Sequence, residues 1–265
     1  METTNPLAVV TGASSGIGYE LARQFAKHGF DLIIAAEDDA LASAASTLTT
    51  HGTGVQAVQT DLGTREGVEE LHRSVVATRR PVAAAALNAG IGKGGPFLEN
   101  DLADELEIID LNVTSTVHLA KLLLPGMVEA GEGRMLVTSS IASTMPGSFQ
   151  AVYNASKSFL QSFAQALQNE LKDTGVTVTS LMPGPTETEF FERADMLDTK
   201  VGRADKDDPA QVAAQGFEAM MAGRDKVVAG SWKTKAQGLA NRVLPDSLKA
   251  QAHRGMARPG SGEDT

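Results

Sequence analysis

Short apolar runs rich in β-branched residues alternate along this chain with longer stretches in which apolar residues recur every three to four positions. The runs at 7–11, 31–36, 55–59, 82–87, 134–138, 176–181 and 226–229 predict strands. Between them, the spacing predicts helices over 16–28, 38–50, 64–78, 101–130, 150–173 and 209–222. Strict alternation of this kind predicts βαβ units and a parallel α/β sheet covered on both faces. Ala83-Ala84-Ala85-Ala86-Leu87 is apolar without alternation, as a central strand should be. Gly29 and Gly175 stand where helix C-termini are expected, and Asp208-Pro209 reads as an N-cap followed by proline in the first turn.

The chain has 265 residues, which suits one large domain, placed at 1–254. The polar, weakly periodic segment 184–208 is too long for a routine connection. It is expected to be a lid (about 186–208) or a disordered loop. The tail 255–265 is expected to be disordered. Cysteine is absent, so neither disulfides nor thiolate metal sites can form. The five histidines are scattered, and no metal is expected. A net charge of −10 argues against nucleic acid or an anionic membrane as partner. No apolar run approaches the ~18 residues of a membrane span, and no leader is apparent. A cytoplasmic protein is the expectation.

The stretch TGASSGIG, residues 11–18, lies between the first strand and the first helix. A glycine-rich turn entering a helix N-terminus is an anion site, because unpaired N–H groups and the helix dipole converge there. The spacing Gly12, Gly16, Gly18 is neither G-x-G-x-x-G nor a Walker A loop. Asp61 and Leu62 after the third strand, Asn88-Ala89-Gly90 after the fourth, and Pro183-Gly184 after the sixth fall on the same carboxyl edge of the sheet. That is the edge where doubly wound sheets bind ligands.

Tyr153 and Lys157 are four residues apart at the start of a predicted helix, hence on one face. A nearby ammonium favours the phenolate, so the pair predicts a tyrosine of lowered pKa able to move protons near neutrality. Ser140 ends the preceding strand, thirteen residues earlier. Asn112 sits inside a predicted helix, where its propensity is poor and a polar role is plausible.

Taken together, TGASSGIG (11–18), Asp61, NAG (88–90), Asn112, Ser140, YNASK (153–157) and PGPTET (183–188) resemble the classical short-chain dehydrogenases/reductases over nearly the whole chain. The resemblance implies a Rossmann-like doubly wound fold, with a mostly seven-stranded parallel sheet and helices on both faces. It implies an oxidoreductase that transfers a hydride between a nicotinamide cofactor and a ketone or secondary alcohol. By position, Tyr153 would be the acid or base, Ser140 would hold the substrate oxygen, Lys157 would bond the nicotinamide ribose, and Asn112 would anchor a relay water. Gly12, Ser14, Ser15, Gly16, Ile17 and Gly18 would wrap the cofactor, with Glu37, Asp61, Leu62, Asn88, Ala89 and Gly90 along it. Pro183, Gly184, Thr186 and Thr188 would complete the site beside Tyr153 and Lys157.

One departure concerns the second strand. Ala36 stands where NAD-dependent relatives carry aspartate, and Glu37 where NADP-dependent ones carry arginine. Glu37, Asp38 and Asp39 would repel a 2′-phosphate, so NAD(H) is favoured and NADP(H) is the alternative. Asp38 and Asp39 equally suit the next helix N-terminus. Met145, Pro146, Phe149, Phe190, Phe191, Met196 and Leu197 suggest a hydrophobic substrate wall, or residues that only anchor the loop. Surplus apolar positions at Val117, Leu122, Phe159, Phe163 and Leu167 suggest a homodimer or homotetramer. The competing readings are a non-catalytic sensor of nicotinamide redox state and a sugar-nucleotide epimerase. The intact Ser140, Tyr153, Lys157 and Asn112 set disfavours the first, and the short region after residue 184 the second.

Overall fold

The computed structural model describes residues 5–240 and 244–264. Seven strands run in chain order: β1 Leu7–Thr11, β2 Asp31–Ala36, β3 Val55–Gln59, β4 Val82–Leu87, β5 Gly133–Thr138, β6 Val176–Pro183 and β7 Lys226–Ala229. They form one sheet in the order β3-β2-β1-β4-β5-β6-β7, and every pairing is parallel. The chain winds outward from β1 in one direction and from β4 in the other, so the order reverses between these two neighbours. This is the Rossmann-like doubly wound arrangement.

Alternate side chains of the strands enter two apolar layers. Val9, Ala85, Leu87, Met135 and Val137 pack on one face against α3 (Arg65–Ala77), α5 (Ser115–Ala130) and α6 (Ala151–Glu170). Ala8, Val10, Ala84, Ala86 and Leu136 pack on the other against α1 (Gly16–Lys27), α2 (Ala40–Thr49) and α9 (Pro209–Met221). Small alanines along β4 let helices approach closely from both sides. Phe25 of α1 meets Phe217 of α9 edge-on at 5.2 Å, joining the two helices. Each such fully buried side chain contributes about 1.5–3 kcal/mol.

The helix expected over 101–130 is three pieces: α4 (Leu102–Ile108), a π-helical turn (Ile109–Thr114) and α5. The wide turn is centred on Asn112, whose side chain bonds outside its own helix. Gly29 follows the C-cap of α1 with φ +76°, as expected. Gly175 does not cap α6, which already ends at Glu170. It lies in the turn entering β6 at φ +76°, where a Cβ would come 2.2 Å from the Gly131 carbonyl. Asp208 caps α9 by accepting from the Ala210 N–H at 2.9 Å.

The segment 184–208 is ordered. It contains two short helices, α7 (Phe190–Arg193) and α8 (Lys200–Arg203), and a small core in which Phe191, Ala194 and Met196 meet Ala257 of α11 (Asp246–Ala257), which follows α10 (Trp232–Ala240). The expectation of a disordered tail over 255–265 is corrected here. Residues 255–257 complete α11, and Ser261–Asp264 form a 3₁₀ turn docked on the lid. The Gly262 N–H donates to the Asp198 carbonyl at 2.8 Å, and Arg203 donates to the Gly262 carbonyl at 2.9 Å. Partners on the lid hold a segment that its terminal position alone would leave loose. Thr265 lies outside the described residues. Among the described residues no helix is long and apolar enough to cross a membrane.

Buried Asp207 fastens this lid to the sheet. Its carboxylate accepts from the Ser231 N–H at 2.9 Å and the Thr234 hydroxyl at 2.5 Å, while its backbone pairs with Pro185 and Glu187. Asp207→Ala leaves those two donors unpartnered. It should cost about 1–3 kcal/mol, read as a lower thermal midpoint and as faster proteolysis within 186–208. An unchanged midpoint would show that the clamp is not needed.

Candidate active site

β1 and β4 feed their chains to opposite sides, and a cleft of about 740 Å³ opens above their carboxyl ends. The strand ends below it are tied together. The Thr11 hydroxyl accepts the Asn88 and Ala89 N–H groups at 2.9 and 3.0 Å. Asn88 returns a bond to the Thr11 carbonyl and accepts from the Thr138 hydroxyl at 3.0 Å. One amide side chain thus joins β1, β4 and β5.

The glycine loop forms one wall. Gly12 and Gly16 have φ of +63° and +55°, which strain any other residue. A Cβ on Gly12 would lie 2.9 Å from Ala89 Cα, and one on Gly16 2.9 Å from the Thr188 side chain. Ser15 is the N-cap of α1, yet its side chain makes no capping bond. The first amides of the helix therefore have no partner from the cap. Such a cradle fits a pyrophosphate. Gly12, Ser14, Ser15, Gly16 and Ile17 all line the cleft. Gly18 does not; it is buried, and a Cβ there would overlap the Gly12 carbonyl at 1.9 Å. Its role is the close passage of α1 over the turn.

Glu37, Asp61, Leu62, Asn88, Ala89, Gly90, Pro183, Gly184, Thr186 and Thr188 line the same cleft, as expected from the sequence. Asp38 lines it too and accepts from the Ser14 hydroxyl at 2.7 Å. A part-exposed carboxylate beside the glycine loop is thereby fixed in orientation. Nearby negative charge is felt by Glu107: burial, then the carboxylates of Glu37, Asp104 and Asp61, raise its pKa.

Ser140, Tyr153 and Lys157 meet at the middle of the cleft. Ser140 caps a 3₁₀ turn (Ile141–Thr144), accepting from the Ala142 N–H at 3.0 Å and donating to the Pro183 carbonyl at 3.4 Å, and its hydroxyl is near enough to the Tyr153 phenol to ease that group's ionisation. Lys157, only 4% exposed, donates to the Thr138 carbonyl at 3.1 Å. Its Nζ stands 5.7 Å from the centre of the Tyr153 ring. Asn112 does not line the cleft. It is fully buried, accepts from the Ile91 N–H at 2.9 Å, and donates to the Ile91 carbonyl at 2.9 Å and the Ser156 hydroxyl at 3.0 Å. Asn112 therefore fixes the loop after β4 against α6, the helix that carries Tyr153 and Lys157.

The electrostatics reverse one expectation. Burial pushes the Tyr153 phenol up to about 12, against a smaller lowering by the Ser140 hydroxyl. Burial also brings Lys157 down to about 8. In this desolvated cleft the loss of water outweighs the pull of the neighbouring ammonium. The phenol is therefore protonated at neutral pH and is poised as a proton donor. Lys157 is still charged by roughly ten to one at pH 7.

Among the expected apolar residues, Met145, Phe190 and Phe191 line the cleft. Phe190 stacks at a tilt on Tyr153 with ring centres 5.1 Å apart. Pro146, Phe149, Met196 and Leu197 are not part of the lining. Met196 is fully buried in the lid's own small core, and Phe149 carries the Arg254 guanidinium over its ring. The sequence reading missed Gln150, Trp232, His253 and Met256, which close the far wall. Only contacts between segments about a hundred residues apart bring them there. Among the described residues no group of three or more His, Asp or Glu side chains is placed to hold a metal ion.

A family profile for short-chain dehydrogenases matches residues 6–196. The chain belongs to the short-chain dehydrogenase family. It is 32% identical to sulfoacetaldehyde reductase 2 of Chromohalobacter salexigens over 186 residues, 69% of this chain and 74% of that one. It is 31% identical to the oxidoreductase YmfI of Bacillus subtilis over 192 residues, 71% and 78% of the two chains. Among solved structures, a short-chain dehydrogenase/reductase of Burkholderia phymatum in complex with NAD superposes with TM-score 0.84 at 25% identity, covering 95% of this chain and 96% of that one. A short-chain dehydrogenase of Sphingobium yanoikuyae in complex with NADPH gives 0.79 at 27% identity, over 84% and 87%. This dehydrogenase is thus similar to proteins that hold either nicotinamide cofactor.

The chain has only two tyrosines, so phenol ionisation is easily dissected. In a spectrophotometric titration, the difference between wild type and Tyr153→Phe should stay flat through the ordinary phenol range near ~10. It should rise only toward about 12. A component titrating below the ordinary range would show that Lys157 dominates after all.

Proposed function

We propose that this dehydrogenase transfers a hydride between a nicotinamide cofactor and a ketone or secondary alcohol, with Tyr153 moving the proton. The observation that carries the reading is that Ser140, Tyr153 and buried Lys157, its Nζ 5.7 Å from the Tyr153 ring centre, line one cleft with the glycine loop. The cofactor, when bound, supplies the hydride at nicotinamide C4. The open amides of α1 and the loop of Gly12 and Gly16 would hold its phosphates. Lys157 would bond the ribose hydroxyls.

The chain's own residues do the rest. Ser140 and Tyr153 present hydroxyls to the substrate oxygen. In reduction Tyr153 gives up its proton as negative charge develops on that oxygen, and Lys157 stabilises the phenolate left behind. At neutral pH the phenol holds its proton, as reduction requires, and because burial makes it a weaker acid the phenolate depends on Lys157. Asn112 acts through position, holding the loop after β4 and Ser156 in register. A relay water on Asn112 remains part of this reading. So does an apolar substrate, supported by Met145, Phe190 and Phe191.

We infer a preference for NAD(H). Glu37, Asp38 and Asp61 line one end of the cleft, and Ser14 fixes the Asp38 carboxylate there. Three carboxylates repel a 2′-phosphate while accepting bonds from ribose hydroxyls. A single catalytic domain that takes in α11 and the turn at Ser261–Asp264, and a cytoplasmic location, go with this reading. A homodimer or homotetramer is also part of this reading. Of the expected positions, Leu122, Phe163 and Leu167 pack on the core and Phe159 of α6 is exposed; Leu98, Leu102, Leu106 and Ile109, before, on and just after α4, are exposed as well.

Tyr153→Phe should lower kcat for ketone reduction by about 10²–10⁴-fold, with the cofactor dissociation constant changed no more than about threefold. Retained turnover would remove the proposed role. With wild type, kcat/KM should be at least about tenfold higher with NADH than with NADPH, a difference near 1.4 kcal/mol. A preference for NADPH would overturn the cofactor assignment.

A further inference from the structure

We propose that Gln150 and His253 form a paired hydrogen-bonding pocket for a hydroxyl group next to the substrate carbonyl, so that the substrates of this site are hydroxy ketones and the matching diols. This deepens the ketone-reductase reading and rests on it.

Gln150 is the N-cap of α6, three residues before Tyr153. Positions three apart on a helix are neighbours, with Cβ atoms about 5–6 Å apart. Its side chain is only 7% exposed and lines the cleft, yet it makes no capping bond. Among the described residues no side-chain hydrogen bond reaches it. A primary amide carries two donors and an acceptor, and with no protein partner they open on the cleft, where a ligand can bond them.

His253 is likewise 7% exposed and lines the cleft. Its Nδ1 lies 2.9 Å from the Ser148 carbonyl. A carbonyl only accepts, so Nδ1 carries the proton. The neutral ring then offers Nε2 as an acceptor. Burial keeps the ring neutral by lowering its pKa, against the opposing Ser148 bond. Ser148 is two residues from Gln150, so this bond ties α11 to the segment that carries Gln150, and both side chains line the same cleft. The tie is reinforced by Lys249, which donates to the Thr144 carbonyl at 2.9 Å, and by Arg254 over the Phe149 ring.

A hydroxyl both donates and accepts. It would donate to His253 Nε2 and accept from the Gln150 amide, satisfying both walls at once. A ketone without that hydroxyl would leave both groups dry and unpartnered. Sites built in this way discriminate strongly against the analogue that lacks the group.

The test compares matched ketones whose carbonyl activation is similar: hydroxyacetone against methoxyacetone, and benzoin against its methyl ether. The methyl ether keeps the electron-withdrawing oxygen but cannot donate to Nε2. Wild type, full chain, with NADH or NADPH, should show kcat/KM at least about tenfold higher for the hydroxy member of one pair. His253→Asn preserves a donor toward Ser148 but removes the cleft acceptor, and Gln150→Leu removes the amide. Each should lower that ratio at least about fivefold, chiefly through KM. Turnover of both members without preference by wild type overturns this proposal alone, whatever the variants do. A preference unchanged in folded variants also overturns it. If wild type turns over neither member of either pair nor any simple ketone, the parent reading falls and this one with it.

Discussion

A parallel sheet whose winding reverses between two neighbouring strands must part at their carboxyl ends, and everything in this molecule is arranged around that gap. The chains leaving β1 and β4 diverge, so nothing in the backbone ladder holds their ends together. The Thr11 hydroxyl and the Asn88 amide supply the missing connection, with Thr138 extending it to β5. Were these ends to separate, the glycine loop, the floor of the cleft and the Ser140 wall would lose their common reference. Asn88 is accordingly a structural residue first and a cleft residue second. Gly12 and Gly18 follow from the same constraint, because only a bare backbone fits against Ala89 and under α1.

Burial, more than charge pairing, sets the chemistry of the cleft. The same loss of water that keeps the Tyr153 phenol protonated weakens the hold of Lys157 on its own proton. The two shifts have opposite signs because one acid is neutral when protonated and the other is charged. The site thus rests as a neutral donor beside a cation close to its limit. In a medium of low polarity, each fixed hydroxyl and ammonium acts on a developing oxyanion more strongly than it would in water. Phe190 and Phe191 from the lid supply that exclusion of water, and the Asp207 clamp holds the lid in place.

Periodicity made the sheet legible because each strand and helix announces itself locally. All seven strands lie within two residues of where alternation places them. The site was legible to the extent that its residues sit at strand ends or one helical turn apart. Thr11 to Ile17, Asp61, Asn88, Ser140, Tyr153, Lys157 and Thr188 satisfy that condition. Asn112 was legible only in part: its poor helix propensity signalled a special role. Sequence could not show that its partners are Ile91 and Ser156, nor that the helix widens to a π turn to reach them. The tail was misjudged because a terminal position says only that ordering contacts are often missing, whereas docking on Asp198 and Arg203 is a long-range contact. The balance between Lys157 and burial at Tyr153 was misjudged for a related reason. Spacing reveals which charge is near but not how much water is removed.

The cleft has two halves with different origins. The half that faces the glycine loop is assembled from strand ends, and the sheet dictates where each residue stands. The other half is assembled from Gln150, the lid and α11, which meet only through side-chain contacts such as His253 with Ser148 and Ala257 with Phe191. Strand-end positions cannot drift without disturbing the sheet. Lid and α11 positions can change and leave both apolar layers intact. On the proposed reading, cofactor handling is tied to the sheet itself, whereas substrate choice rests on Gln150, the lid and α11. A polar pair there would set specificity while Ser140, Tyr153 and Lys157 stay as the sheet and α6 place them.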